Sequence, residues 1–113
     1  MNTQMQLKLV LPEPRPIIST DRRGGLEESF KRFHAANPHV YEALKAVALW
    51  CVRHKKRMGI KAIYERVRWE YSIATSGSPY KLNNNFSAHY SRLLMKNEPE
   101  LAGFFETRRR RAI

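Results

Sequence analysis

Between Ala43 and Val52 the chain reads ALKAVALWCV, a run whose sole polar side chain is Lys45. Val40, Leu44, Val47, Ala48 and Cys51 recur at helical spacing, and Leu49 and Trp50 widen the apolar surface around the back. A helix apolar over most of its circumference has to be covered from several sides. The run therefore predicts a central helix with the other elements packed around it. Its start is marked by Asn37-Pro38, because Asn is a good N-cap and proline lacks an N–H that would be unpaired in the first turn anyway. Its end is expected at Arg57, ahead of Gly59, so that Arg53-His54-Lys55-Lys56-Arg57 forms a polar extension leaving the core.

Three further helices are predicted around it. Leu26 to Ala36 places Phe30 and Phe33 on one side, with Glu27 and Glu28 near the start, where acidic groups are favoured. Ile60 to about Tyr71 carries a narrow stripe of Ile60, Ile63, Tyr64, Val67 and Tyr71. Trp69 falls almost opposite that stripe, beside Ala62, Glu65 and Arg66, and is expected to cover a neighbouring element. The principal break follows at Ser72 to Asn84, where Ser, Gly and Pro favour a turn and Ile73 and Tyr80-Lys81-Leu82 could pair as a small β-hairpin near residues 72–82. A fourth helix is expected from Asn84 or Asn85, either of which could cap it, with Phe86, Tyr90, Leu93 and Leu94 facing the core. Asn97-Glu98-Pro99-Glu100 ends it and opens a short helical turn in which Leu101, Phe104 and Phe105 close the core. The expected fold is mainly α, a compact four- to five-helix domain of helix-turn-helix or winged-helix type.

Every Phe, Tyr and Trp lies between Phe30 and Phe105, which sets the domain at residues 26–107. Residues 1–25 hold Leu7, Leu9, Val10 and Leu11 and then prolines at alternate positions, Pro12, Pro14 and Pro16, which forbid a helix. They are expected to form an extended flexible arm, dispensable for folding, and residues 108–113 a basic tail. The lone Cys51 sits in the apolar run and reads as a reduced core residue, inert because burial raises a thiol pKa. No apolar stretch approaches the roughly 20 residues needed to span a bilayer, and the first residues lack a signal peptide's pattern. A cytoplasmic protein away from the membrane is expected.

Lys and Arg number 21 against 10 acidic residues, a net charge of +11, and the basic residues cluster at Arg53–Arg57 and Arg108–Arg111. Such clusters attract phosphate backbones or other acidic partners. Cations at a helix C-terminus also favour the macrodipole, an equally simple reason for the first cluster. On the fourth helix Asn85, His89, Arg92 and Lys96 are spaced i, i+4, i+7 and i+11, one polar strip beside the apolar face. Asn can read adenine, Arg guanine, and His or Lys can meet phosphate, as on the groove helix of a helix-turn-helix protein. The break before this helix is longer than the usual three or four residues of that motif. Lys55, Lys56, Arg57, Lys61, Arg108, Arg109, Arg110 and Arg111 complete the candidate nucleic-acid contacts. No enzyme is expected: Asp21 is the sole aspartate, His34, His39, His54 and His89 lie on separate elements, and no phosphate loop, nucleophile motif, metal set or cofactor motif occurs.

Phe33-His34-x-x-Asn37-Pro38-x-Val40, Glu65-Arg66-x-Arg68-Trp69-Glu70, Lys81-Leu82-Asn83-Asn84-Asn85-Phe86 with Tyr90 and Arg92, and Glu98-Pro99-Glu100-Leu101 through Phe105-Glu106-Thr107-Arg108 carry a resemblance. Over residues 30 to 108 the chain resembles a group of short, uncharacterised proteins of bacteria and their phages. The resemblance implies phage or mobile-element origin and brings no activity with it. Two functions fit the residues: a small nucleic-acid-binding protein acting on duplex DNA, and a phage-encoded inhibitor acting on a host defence or nucleic-acid-processing protein of acidic surface.

Overall fold

The computed structural model describes residues 9–74 and 84–105. Four helices form there: α1 (Gly25–Ala36), α2 (Pro38–Arg53), α3 (Ile60–Ala74) and α4 (Ser87–Asn97). Short 3-10 turns occupy Asn84–Phe86 and Pro99–Leu101. No strand occurs among the described residues, and the architecture is mainly α.

Helix α2 is the centre the apolar run demands. Val40, Tyr41, Ala43, Leu44, Val47, Ala48 and Cys51 are buried, and α1, α3, α4 and the Pro99–Leu101 turn all pack on it. Phe30 and Phe33 close the core from α1, Ile63, Tyr64, Val67 and Tyr71 from α3, and Tyr90 and Leu94 from α4. Leu101 and Phe105 are buried beneath the last turn.

A single residue, Asn37, separates α1 from α2. Its N–H donates to the Phe33 carbonyl at 2.8 Å, ending α1, and its carbonyl accepts from Val40 N–H at 3.1 Å, opening α2. Asn37 therefore stands at the expected N-cap position, but its side chain does not cap. Oδ1 accepts from the Ile18 N–H at 2.7 Å, while Nδ2 donates to the carbonyls of Ile18 at 2.9 Å and Phe33 at 3.1 Å. The residue is wholly buried.

Ile18 belongs to an extended strap, residues 9–23, that the prolines keep out of helix. Pro12 accepts from the Tyr71 hydroxyl at 2.7 Å near the end of α3, and Arg22 accepts from Ser29 Oγ at 2.8 Å on α1. Leu9, Leu11 and Ile17 pack partly buried against the core. Gly24 and Gly25, at φ 90° and 91°, then turn the strap into α1, a conformation that glycine adopts without steric cost.

Several boundaries differ from those expected. Helix α2 ends at Arg53, not Arg57: Lys56 N–H reaches back to the Cys51 carbonyl at 2.8 Å and Lys55 N–H to Val52 at 3.1 Å. This is a Schellman closure with Lys55 at φ 56° in the position usually held by glycine. Gly59 instead serves the next helix, its carbonyl accepting from Ile63 N–H at 3.1 Å. Helix α3 runs on through Ala74, so Ile73 is helical and not the strand of a hairpin. The remainder of that expected hairpin, with the wing it would supply, lies outside the described residues. Asn84 and Asn85 fall in the 3-10 turn, and the N-cap position of α4 is Phe86.

The strap contacts predict that residues 9–23 contribute to stability, where the sequence alone predicts a dispensable arm. Asn37→Ala removes three hydrogen bonds from a buried site and is expected to cost roughly 2–4 kcal/mol in urea unfolding. Deleting residues 1–23 should cost more, because it also removes the Tyr71–Pro12 and Ser29–Arg22 hydrogen bonds and the packing of Leu9, Leu11 and Ile17, and the two changes combined should cost less than their sum, because both remove the Asn37–Ile18 pairing. Full additivity would show that Asn37 acts independently of the strap.

Candidate nucleic-acid interface

Six of the described basic side chains are paired with carboxylates. Arg23 is held by Asp21 at 2.8 Å, Lys31 by Glu27 at 3.8 Å, Lys45 by Glu42 at 3.1 Å and Arg53 by Glu100 at 2.6 Å. Arg66 pairs with Glu70 at 2.9 Å, and Arg68 pairs with Glu65. Lys55, Lys56, Arg57, Lys61, Arg92 and Lys96 are exposed and have no ion pair with any described carboxylate; the same holds for Arg15 and Arg22 on the strap, while the half-buried Arg32 of α1 donates to the Asp21 carbonyl. The paired set can offer a polyanion little net charge, whereas the unpaired set presents its full charge to solvent.

Local backbone explains where four of the unpaired cations sit. The Schellman closure throws Lys55, Lys56 and Arg57 off the axis of α2 into the connection to α3, and Lys61 follows in the first turn of α3. They make one short basic run at the junction of two helices. An L-residue held in left-handed backbone costs roughly 1 kcal/mol, so Lys55 is retained there at some expense in stability.

The strip expected along the fourth helix is not uniform. Asn85 is exposed but belongs to the 3-10 turn, one residue before the N-cap of α4. Arg92 and Lys96 are exposed on α4 itself. His89 is turned inward: its ring stacks on Phe30 of α1 at 5.0 Å and 27°, and its Nδ1 is buried with no hydrogen-bond partner. Burial, reinforced by Arg92 and opposed by Glu27, holds the His89 pKa below its ordinary value. Stacking a cation on Phe30 would return about 0.5–1 kcal/mol, less than the roughly 1–3 kcal/mol lost on burying an unpaired N–H donor. The neutral ring is favoured, and His89, only partly exposed, packs on α1 through Phe30. Spacing alone could not show this, because the angle that puts His89 beside Arg92 also puts it beside α1. Arg108, Arg109, Arg110 and Arg111 lie outside the described residues.

The outer face of α3 carries Trp69, which is 64% exposed where a large aromatic is expected to be covered. It lies opposite the buried stripe that binds α3 to α2 and α4. Around it the Arg66–Glu70 and Arg68–Glu65 pairs cancel one another's charge, so this face is electrically neutral. The Glu-Arg-x-Arg-Trp-Glu segment thus forms helix-stabilising i,i+3 and i,i+4 ion pairs. Cys51 is fully buried, and burial pushes its thiol pKa up. Among the described residues no cluster of His, Cys, Asp or Glu could hold a metal ion, and no helix is long and apolar enough to cross a membrane. Comparison with protein-family models, curated proteins and solved structures finds no match to this chain.

Trp69→Ala should leave stability within about 0.5 kcal/mol of the parent protein, since an exposed side chain has little burial to lose. A loss of about 3 kcal/mol, typical of a core aromatic, would show that Trp69 is covered in solution.

Proposed function

We propose that the protein binds nucleic acid, duplex DNA in particular, through the basic run at the α2–α3 junction together with α4. The observation that carries this reading is the clustering of unpaired cations: Lys55, Lys56, Arg57 and Lys61 at one helix junction and Arg92 and Lys96 on α4 have no carboxylate partner among the described residues, while six cations elsewhere are neutralised in place. The strained backbone at Lys55 supports it, because glycine would close α2 with less strain and would add no charge. In this reading α3 and α4 act as a helix-turn-helix pair. Arg92 and Asn85 meet base edges, and Lys55, Lys56, Arg57, Lys61 and Lys96 meet phosphates, joined by Arg108–Arg111. His89 supports the helix from behind by packing on α1. The protein is a binder and not a catalyst, of phage or mobile-element origin as its resemblance implies.

Lys55→Gly separates binding from folding. It is expected to raise stability by about 1 kcal/mol through relief of the left-handed lysine. The same change should weaken binding to every DNA sequence and make the dependence of log K on log salt shallower by about 0.9. Arg92→Ala or Asn85→Ala should instead cost about 1–3 kcal/mol on a preferred site and much less on random DNA. Absence of salt-dependent binding to duplex DNA, single-stranded DNA and RNA near physiological ionic strength would overturn the reading and leave an acidic host protein as the partner to seek.

A further inference from the structure

We propose that the seam between α1 and α4 is an acid-operated latch, in which His34 and His89 hold the seam closed as neutral rings around Phe30 and protonation of both loosens it. His34 of α1 lies nearly parallel to Phe30 at 5.8 Å and 4°, and His89 of α4 stacks on the same ring at 5.0 Å and 27°. Phe30 also meets Tyr90 edge-on at 4.8 Å and Phe86 at 5.6 Å, so one phenyl ring gathers the contacts of both histidines with the start of α4.

Nδ1 of His34 and Nδ1 of His89 are both buried with no hydrogen-bond partner. A neutral imidazole tolerates this, with its proton on Nε2 and a bare lone pair at Nδ1. Protonation places an N–H donor at each Nδ1 with no acceptor to receive it. The surrounding groups offer little compensation. His34 faces the phenol rings of Tyr41 on α2 at 5.5 Å and Tyr90 on α4 at 6.0 Å, both uncharged near neutrality, and the Tyr41 hydroxyl already donates to Glu98. His89 feels Arg92 on its own helix, which opposes a second positive charge, and Glu27 on α1, which favours one but is paired with Lys31.

Burial accordingly lowers the pKa of His34, and burial with Arg92 lowers that of His89. A base whose folded pKa lies below its unfolded value stabilises the fold fully above the unfolded value, about 6.5, and loses that contribution as pH falls toward the folded pKa. The window of loosening therefore opens at about pH 6.5 and extends below it. His39 is shifted the same way by burial and Arg15, opposed by a hydrogen bond that its ring donates to the Pro16 backbone carbonyl on the strap. It serves as a titrating control outside the α1–α4 contact. The latch is independent of what the basic surface binds, although α4 carries Arg92 and Lys96 and would shift with it.

The test uses the full chain. Imidazole NMR titration of the unmodified protein should give His34 and His89 apparent pKa values below 6.5, and values at or above 6.5 would overturn the proposal. Between about pH 7.5 and 5, the folding equilibrium constant should fall about tenfold for each unit by which each histidine's folded pKa is depressed within that range. The His34→Phe/His89→Phe protein keeps aromatic rings that do not titrate, and it should lose the part of this pH dependence that those two histidines supply, whereas His39→Gln should remove only the separate contribution of His39. Hydrogen exchange at about pH 5 should accelerate at α1 and α4 amides ahead of those of α2 and α3. Uniform acceleration, or an undiminished pH dependence in the double variant, would overturn the latch.

Discussion

The side chain of Asn37 joins the strap to the corner between α1 and α2. Its amide presents a donor and an acceptor side by side, the pattern of a backbone peptide, and it pairs with both polar groups of Ile18 as a neighbouring strand would. Its second N–H returns to Phe33, and its own backbone ends one helix and starts the next. Buried polar groups are costly unless satisfied, so a wholly buried Asn with this many partners admits few alternative arrangements. Placement of the strap, the angle at which α1 leaves α2 and the position of Phe33 and Phe30 in the core all follow from it.

From that corner the core is built by aromatic contact. Phe30 and Phe33 meet Phe86, and Phe30 meets Tyr90, which lies 6.1 Å from Tyr64 of α3. The C-terminal turn is held differently: Glu98 accepts from the Tyr41 hydroxyl at 2.8 Å and Arg53 meets Glu100, so carboxylates fasten this turn to α2. Acidic residues are consumed in such local duties, and among the described residues unpaired basic charge remains on the α2–α3 junction and α4, and at Arg15 and Arg22 of the strap. Charge partition is thus a consequence of folding as well as the basis of the proposed function.

Much of this was legible where composition left one solution. The apolar run of α2, the stripe of α3 and the Leu101–Phe105 closure appear where periodicity puts them, because burying them is the dominant energy. Three things were not. Helix α2 stops at Arg53 because Lys55 takes a conformation that sequence rules reserve for Gly or Asn, and the nearby Gly59 drew the boundary too far. The strap lacks aromatic anchors, and its attachment depends on a long-range pairing to Asn37 that no local pattern encodes. At the site, the exposed cations at Lys55, Lys56, Arg57, Lys61, Arg92 and Lys96 were readable from charge runs and helical spacing. The inward turn of His89 and the bare Trp69 depend on which helix lies on which side, and spacing within one helix does not specify that.

The pairing of Asn37 with Ile18 is the contact on which the strap, the α1–α2 corner and the position of Phe30 rest, and the Ile18 amide reports on it directly. Its N–H has one acceptor, Asn37 Oδ1, at 2.7 Å, although the Ile18 residue is 55% exposed. Native-state hydrogen exchange at that amide should show protection approaching that of the buried amides of α2, because breaking the bond requires the corner to open. Exchange at the rate of an unstructured chain, with α2 still protected, would contradict the account.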